Sequence, residues 1–118
     1  MPMTDADLQT LCLEYQRILR MSDWRCSASF VDKTKKGDTL GESEYQEETQ
    51  SAIITILSET AYAEGKASIA GYDIEHILVH ELLHCKFNML EDENDDPAIE
   101  FAIDSTAEAL VCLRRVRQ

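Results

Sequence analysis

The chain has 118 residues, enough for one small domain with a single hydrophobic core. Hydrophobic residues make up 44% of it and charged residues 29%, which is ordinary for a globular protein in water. The formal net charge of −12 argues against binding to nucleic acid or to an anionic membrane surface, because both depend on clustered lysine and arginine. A bound cation or a basic peptide is compatible with this charge.

The first predicted helix runs from Thr4 to about Met21. Thr4 and Asp7 resemble a capping box, in which the side chain of each residue binds the backbone of the other. Apolar side chains then recur at helical spacing: Leu8, Leu11, Cys12, Tyr15, Ile18 and Leu19. This single apolar stripe predicts a scaffold helix that packs against a sheet.

Residues 22–60 predict a small sheet of about three strands. The first strand is indicated by apolar residues that alternate with polar ones between Trp24 and Phe30. Residues 40–48 are acidic and weakly patterned, and they predict an exposed second strand. The β-branched run from Ile53 to Leu57 is the clearest strand signal. The polar residues 33–38, between the first two strands, predict a hairpin turn.

Two further helices are predicted in the second half of the chain. Asp73 is a favourable N-cap for a helix that ends at about Met89. Asp96 and Pro97 predict the N-cap and first residue of a final helix that reaches about Val116. Together the elements predict one α+β domain over residues 1–118, with an N-terminal helix, a small mixed or antiparallel sheet and two C-terminal helices.

The strongest functional signal is the run His80-Glu81-Leu82-Leu83-His84, which lies in the helix predicted after Asp73. Two histidines four residues apart project from one helix face and can share a metal ion. The intervening glutamate is then placed to act on a metal-bound water. Because only three positions of this pattern are fixed, it also occurs by chance, and a third ligand has to be found elsewhere.

The final helix offers three carboxylates at four-residue spacing, which places Glu100, Asp104 and Glu108 on one ridge. A catalytic zinc site commonly has three protein ligands and one open position for water. The spacing leaves Glu100 and Asp104 both open as the third ligand, and Glu108 is a weaker candidate because it lies a turn further on. His76, one turn before the motif, is expected to be a polar face residue, and a supporting role at the site stays open.

The pairing of His80-Glu81-x-x-His84 with Glu100-x-x-x-Asp104 resembles the gluzincin metallopeptidases, and in particular their small single-domain, phage-type members. The resemblance implies a minimal zincin-like fold with an active-site helix followed by a glutamate helix. It implies Zn²⁺ bound by His80, His84 and Glu100. It further implies Glu81 as general base and Asp104 as the outer partner of His80.

The resemblance also implies a peptide or protein substrate that pairs with an edge strand beside the active helix, and we expect that strand to be Ile53 to Leu57. Larger members stabilise the oxyanion with a downstream histidine or tyrosine, and no counterpart of that residue is identified in this sequence. Tyr62 and Tyr72, which precede the motif, could each donate a hydrogen bond to an oxyanion. The predicted function is therefore a zinc metalloendopeptidase-like hydrolase. A zinc-binding protein without efficient peptidase activity and an acidic decoy protein are the alternatives.

The cysteines favour a reducing compartment. Four are widely spaced along the chain: Cys12, Cys26, Cys85 and Cys112. None belongs to a CxxC pair, and the first residues contain acids in place of the apolar run of a signal peptide. We therefore predict a cytoplasmic protein, without a membrane span, whose cysteines are reduced and buried.

Overall fold

The computed structural model describes residues 2–65, 71–88 and 96–117. Over these residues the fold is α+β, as predicted, with four helices and one three-stranded sheet. In chain order the elements are α1 (Asp5–Ile18), β1 (Arg25–Val31), β2 (Gly41–Gln46), β3 (Ser51–Leu57), α2 (Glu59–Ala63), α3 (Ile74–Lys86) and α4 (Pro97–Val116). Helix α3 ends at Lys86, with Phe87 as its C-cap, three residues before the predicted end near Met89, which itself lies outside the described residues.

The long helices begin where local capping chemistry predicts. At α1 the Thr4 hydroxyl accepts a hydrogen bond from the Asp7 backbone N–H, and the Asp7 carboxylate accepts one from the Thr4 backbone N–H. Asp73 and Asp96 cap α3 and α4 through their side-chain oxygens, and Pro97 occupies the first position of α4. Each cap satisfies a backbone N–H that has no partner within the helix.

The sheet has the strand order β1-β3-β2, which differs from the chain order. β3 pairs in parallel with β1, where Ala52 lies opposite Cys26, and antiparallel with β2, where Ile54 lies opposite Ser43. The predicted mixed sheet of three strands is thus present, with its longest apolar run at the centre.

The run from Ile53 to Leu57 lies in the central strand, so the prediction that it forms a free edge is wrong. The side chains of Ile54, Ile56 and Leu57 are fully buried, and a β-branched apolar run suits a strand with neighbours on both sides. β2 is acidic, and charged side chains suit an edge strand because they stay in water and oppose further pairing. Among the described residues, β2 forms the sheet edge nearest to α3.

The predicted hairpin at residues 33–38 is also absent, because β1 and β2 lie on opposite sides of β3. These residues belong to a connection that carries the chain across β3, and Gly37 adopts a left-handed φ of +86° within it. The Glu42 carboxylate on β2 accepts hydrogen bonds from the backbone N–H groups of Lys35 and Lys36. The edge strand therefore holds this connection in place.

The core lies between one face of the sheet and the helices α1 and α3, and α4 packs on α3. Its free thiols include Cys12, Cys26 and Cys85, which are buried as predicted. The prediction is wrong for Cys112, which is exposed because the buried positions of α4 are Val111 and its partners one and two turns earlier. Among the described residues, no helix combines the length and the apolar character required for a membrane span.

β2 passes very close to α3 at Gly41. A Cβ atom at this position would lie 2.5 Å from Cγ2 of Ile77 and 3.5 Å from Cγ of Glu81. A side chain would therefore push the strand away from the helix, and glycine permits the close approach. This contact places the edge strand directly beside the HExxH motif.

Candidate metal centre

α3 carries the motif with its histidines on one face and its leucines on the other. Leu82 and Leu83 are buried in the core, whereas His80 and His84 are partly exposed. Their imidazole centroids lie 4.9 Å apart, as expected for residues separated by one helical turn. His76 lies one turn earlier, with its ring centroid 6.4 Å from that of His80. The helix therefore presents a row of three imidazoles.

α4 brings its carboxylates to this row because a stripe of apolar residues packs the helix against the core. Ile103, Ala107 and Val111 are buried at four-residue intervals. Glu100 and Asp104 follow the same spacing beside the stripe, and both reach histidines of α3. The packing of the apolar stripe of α4 therefore also places the adjacent carboxylates next to α3.

Glu100 lies against both histidines of the motif. Its Oε1 is 3.0 Å from Nε2 of His80 and its Oε2 is 3.2 Å from Nε2 of His84. The two Nε2 atoms are 3.1 Å apart. Two ligand atoms that each lie ~2.0–2.1 Å from a tetrahedral zinc ion are separated by about 3.3–3.4 Å, which is close to this spacing. The three side chains can therefore hold one small cation.

Asp104 approaches His80 from the other ring nitrogen. Its Oδ1 is 3.3 Å from Nδ1 of His80 and 2.9 Å from Nε2 of His76. An acceptor at Nδ1 holds the ring hydrogen there and leaves the Nε2 lone pair free for a ligand bond. The pKa of the Asp104 carboxyl lies below its usual range. The main cause is the hydrogen bond from His76, and the hydrogen bond from His80 adds to it.

The carboxylates of the α4 ridge thus have different surroundings. Glu100 faces the Nε2 atoms on which the motif converges, whereas Asp104 lies beside Nδ1 of His80 and so occupies the outer position. Glu108 is exposed, and the structure describes no ion pair between it and these histidines. The geometry favours Glu100 over Asp104 in the ligand position that the spacing left open.

Glu81 is nearly buried, with 9% of its surface exposed. Burial raises the pKa of its carboxyl group, while the neighbouring His80 and His84 and a hydrogen bond from Ser43 oppose this shift. The net effect is a raised pKa. A raised pKa makes Glu81 a stronger base than a carboxylate in water, which suits a group that accepts a proton and later returns it.

The three donor atoms of His80, His84 and Glu100 border a groove of about 1650 Å³. One side of it is formed by β2, whose alternating residues Gly41, Ser43 and Tyr45 share a face. The other side is formed by the start of α4. Ser43 and Tyr45 were not predicted to belong to the site. Their spacing of two residues could have indicated that they share one face of the strand. The spacing alone does not show which face of the strand lies toward α3.

The two tyrosines predicted as oxyanion donors lie elsewhere. The Tyr72 hydroxyl donates a hydrogen bond to the Leu57 carbonyl at 2.7 Å, and burial raises the pKa of Tyr72 to about 12. The Tyr62 ring stacks on that of Tyr72, with centroids 4.9 Å apart. Neither tyrosine borders the groove, whereas Tyr45 does.

The arrangement brings together all the residues that the motifs singled out: His80, Glu81, His84, Glu100 and Asp104. Comparisons of the chain with protein-family models, with curated proteins and with solved structures found no match. The likeness to gluzincins therefore stays a prediction from the motif residues. The chemistry of the centre has to be inferred from side-chain geometry.

Proposed function

We propose that this protein is a zinc-dependent metallopeptidase of minimal gluzincin type. The observation that supports it is the approach of the Glu100 carboxylate to Nε2 of both His80 and His84, at 3.0 and 3.2 Å. Helix periodicity places the two histidines together, but it does not bring a carboxylate sixteen positions further along the chain to the same point. Two nitrogen ligands and one carboxylate are a set that catalytic zinc uses.

His80, His84 and Glu100 would hold the ion, which when bound supplies a Lewis acid and lowers the pKa of a bound water toward about 7. Glu81 accepts the proton of the attacking water and returns it to the leaving nitrogen of the peptide. Its burial beside Ser43 keeps the carboxyl group in one orientation and away from bulk water. Peptide-bond hydrolysis is the reaction that this combination supports best.

The substrate in this proposal is an extended peptide that pairs with β2. β3 is occupied on both sides, so β2 takes the role first expected of the run from Ile53 to Leu57. Main-chain pairing with an edge strand gives affinity with little demand on sequence. Tyr45 is the described tyrosine beside this path and is our candidate for stabilising the oxyanion. The buried free thiols are consistent with a cytoplasmic location.

The test separates metal binding from catalysis. Protein purified without added metal should contain one zinc ion per chain by elemental analysis, and it should cleave members of a quenched peptide library. Glu81→Gln should keep the zinc and lose hydrolysis by roughly 10²-fold or more, because only the proton acceptor is removed. His80→Ala and Glu100→Ala should lose both.

Glu108→Gln is the matched control, since it removes a carboxylate from the same ridge without contact to the histidines. It should retain both zinc and activity. Hydrolysis by Glu81→Gln at the wild-type rate would contradict the role of Glu81, and absence of zinc from the wild type would contradict the proposal as a whole.

One observation favours a second candidate, a zinc-binding protein without efficient peptidase activity. The hydroxyl of Tyr72 is engaged with a backbone carbonyl, which leaves oxyanion stabilisation dependent on Tyr45 and the metal. Stoichiometric zinc together with no cleavage of any library peptide, before or after trimming of the termini, would favour this candidate over the peptidase.

A further inference from the structure

His76 is the one imidazole of the α3 row that the proposed function leaves without a task. Its Nε2 lies 2.9 Å from Oδ1 of Asp104, which is closer than the 3.3 Å between the same oxygen and Nδ1 of His80. Its side chain is 26% exposed, so it borders the groove without being free in solvent. Of the two described contacts of Asp104 with these imidazoles, the shorter is therefore with His76 and not with His80 of the motif.

Asp104 needs such an anchor because its side chain is 56% exposed and projects from the surface of α4. A carboxylate oxygen has two lone pairs, so Oδ1 can accept hydrogen bonds from both imidazoles at once. One long hydrogen bond to His80 would leave an exposed carboxylate free to rotate toward water. A second, shorter bond from the same helix face fixes its orientation.

We propose that His76 is a positioning residue of the metal centre, which anchors Asp104 and through it orients the ring of His80. This inference rests on the proposed function, since it concerns the same centre. His76 and His80 belong to one rigid helix, so Asp104 is bound to α3 at two points one turn apart.

The donor atoms of His76, His80 and Asp104 also lie close enough to hold a metal ion of their own. A neutral imidazole has one N–H and one lone pair. With Nδ1–H donated to Asp104 and the Nε2 lone pair directed at the first centre, the ring of His80 is fully used. A second ion would require His80 to lose its last ring hydrogen. The arrangement consistent with these distances has one ion per protein, at His80, His84 and Glu100. His76, Asp104 and Nδ1 of His80 are then joined by hydrogen bonds.

The first experiment measures zinc affinity by competition with a chromophoric chelator. His76→Ala should weaken zinc binding by roughly three- to tenfold, the effect of losing one hydrogen bond. Asp104→Ala should weaken it by about 10- to 100-fold, as loss of an outer-shell carboxylate does. In the Asp104→Ala background, His76→Ala should have no further effect, because His76 acts only through Asp104.

A conservative variant and a control make the measurement specific. His76→Gln keeps an N–H donor and should recover part of the affinity, which a general loss of packing would not permit. Glu108→Gln should bind zinc like the wild type. Equal affinity of wild type and His76→Ala, additive effects of the two alanine variants, or two zinc ions per chain would each overturn the proposal.

The second experiment needs no metal and so separates the two proposals. Long-range ¹H–¹⁵N correlation spectra of the metal-free protein report which ring nitrogen of each histidine carries the hydrogen. Glu100 faces Nε2 of His80 at 3.0 Å and would compete for the ring hydrogen, so the spectra are recorded in a Glu100→Ala background. There His80 should be the Nδ1–H tautomer, and its Nε2–H population should rise when His76→Ala is added and rise further with Asp104→Ala. This result, together with a wild-type protein that binds no zinc, would contradict the peptidase proposal and support the positioning role. If the tautomer of His80 were unchanged by both His76→Ala and Asp104→Ala, the positioning role would be contradicted, whatever the zinc content of the protein.

Discussion

At the scale of single residues, Gly41 is the point at which the edge strand and the motif helix depend on each other. A Cβ there would come within 2.5 Å of Cγ2 of Ile77, a distance that real atoms do not adopt. Ile77 is buried and branches at its own Cβ, so it has little freedom to move aside. Any side chain at position 41 therefore has to displace β2 from α3.

Gly41→Ala should lower the free energy of unfolding by about 1–3 kcal/mol, the usual cost of overpacking, as measured by urea denaturation. Gly71→Ala is the control, because a Cβ at Gly71 has no heavy atom within 4 Å. In the double variant Gly41→Ala, Ile77→Ala the two changes should partly compensate, since the clashing methyl group is gone. Equal stabilities of Gly41→Ala and Gly71→Ala would contradict this account of the contact.

The residue scale also explains why Glu81 differs from the other acids of this acidic chain. Most of them lie in water, but Glu81 is buried between its own helix and Ser43 of β2. Burial disfavours its charged form, and the two adjacent imidazoles favour it. Glutamate is common in this chain, and the position of Glu81 under the edge strand is what raises the pKa of its carboxyl group.

At the scale of elements, the start of α4 links the stability of the helix to the candidate metal centre. The Asp96 side chain accepts a hydrogen bond from the Ala98 N–H at 2.9 Å and begins the helix. Glu100 lies in the first turn that this cap supports. Fraying of that turn would move Glu100, the proposed third ligand, away from His80 and His84 while leaving the rest of α4 in place.

Asp96→Ala should therefore have two effects: a loss of about 1 kcal/mol of stability, as for other N-caps, and a weaker affinity for zinc. Thr4→Ala is the matched control, because it removes the N-cap of α1, which carries none of the proposed ligands. Urea denaturation and chelator competition measure the two quantities. If both variants lost stability but neither changed zinc affinity, the cap of α4 would have no role at the centre.

At the scale of the whole molecule, Arg114 connects α4 to α1 and α3. It lies at the end of α4 opposite the candidate metal centre. Its guanidinium donates two hydrogen bonds to the Glu14 carboxylate of α1, at 3.0 and 2.8 Å, and one to Glu75 of α3, at 3.0 Å. Glu75 also accepts a hydrogen bond from the Tyr15 hydroxyl. α4 is thus held near its C-terminus by this network and near its N-terminus by Glu100 and the residues around it.

This network makes stability depend on pH in a defined direction. The hydrogen bond from Arg114 holds the pKa of the Glu14 carboxyl below its usual value. A folded-state pKa below the unfolded value, about 4.3 for glutamate, gives stability that is present above that pH and is lost as the pH falls through the folded value. The side chain is 43% exposed, so its contribution is at most about 1 kcal/mol.

Glu14→Gln should be less stable than the wild type above about pH 4.3, and the difference should vanish as the pH falls further. Urea denaturation at a series of pH values measures it. Glu108→Gln, which removes the same charge elsewhere on the surface, should show no such convergence. Parallel pH curves for wild type and Glu14→Gln would exclude the ion pair as a source of stability.

The start of the long helices and the faces that they bury are determined by interactions between residues close together in the chain. Caps such as Thr4 and Asp96 act within four residues, and the apolar spacing of α1 and α4 reflects a helical period. These features were therefore readable from the sequence. The motif His80-Glu81-x-x-His84 was readable for the same reason, because one turn of helix is enough to place its side chains together.

Only the tertiary structure decided the strand order, the free edge and the carboxylate that meets the two histidines. The run from Ile53 to Leu57 has the same local pattern at an edge or at the centre of a sheet, and the difference is made by what pairs with it. Glu100 and Asp104 share one ridge, and the docking of α4 on α3 determines which of them reaches Nε2 and which reaches Nδ1. Such choices depend on contacts between residues far apart in the chain, where periodicity and capping carry no information.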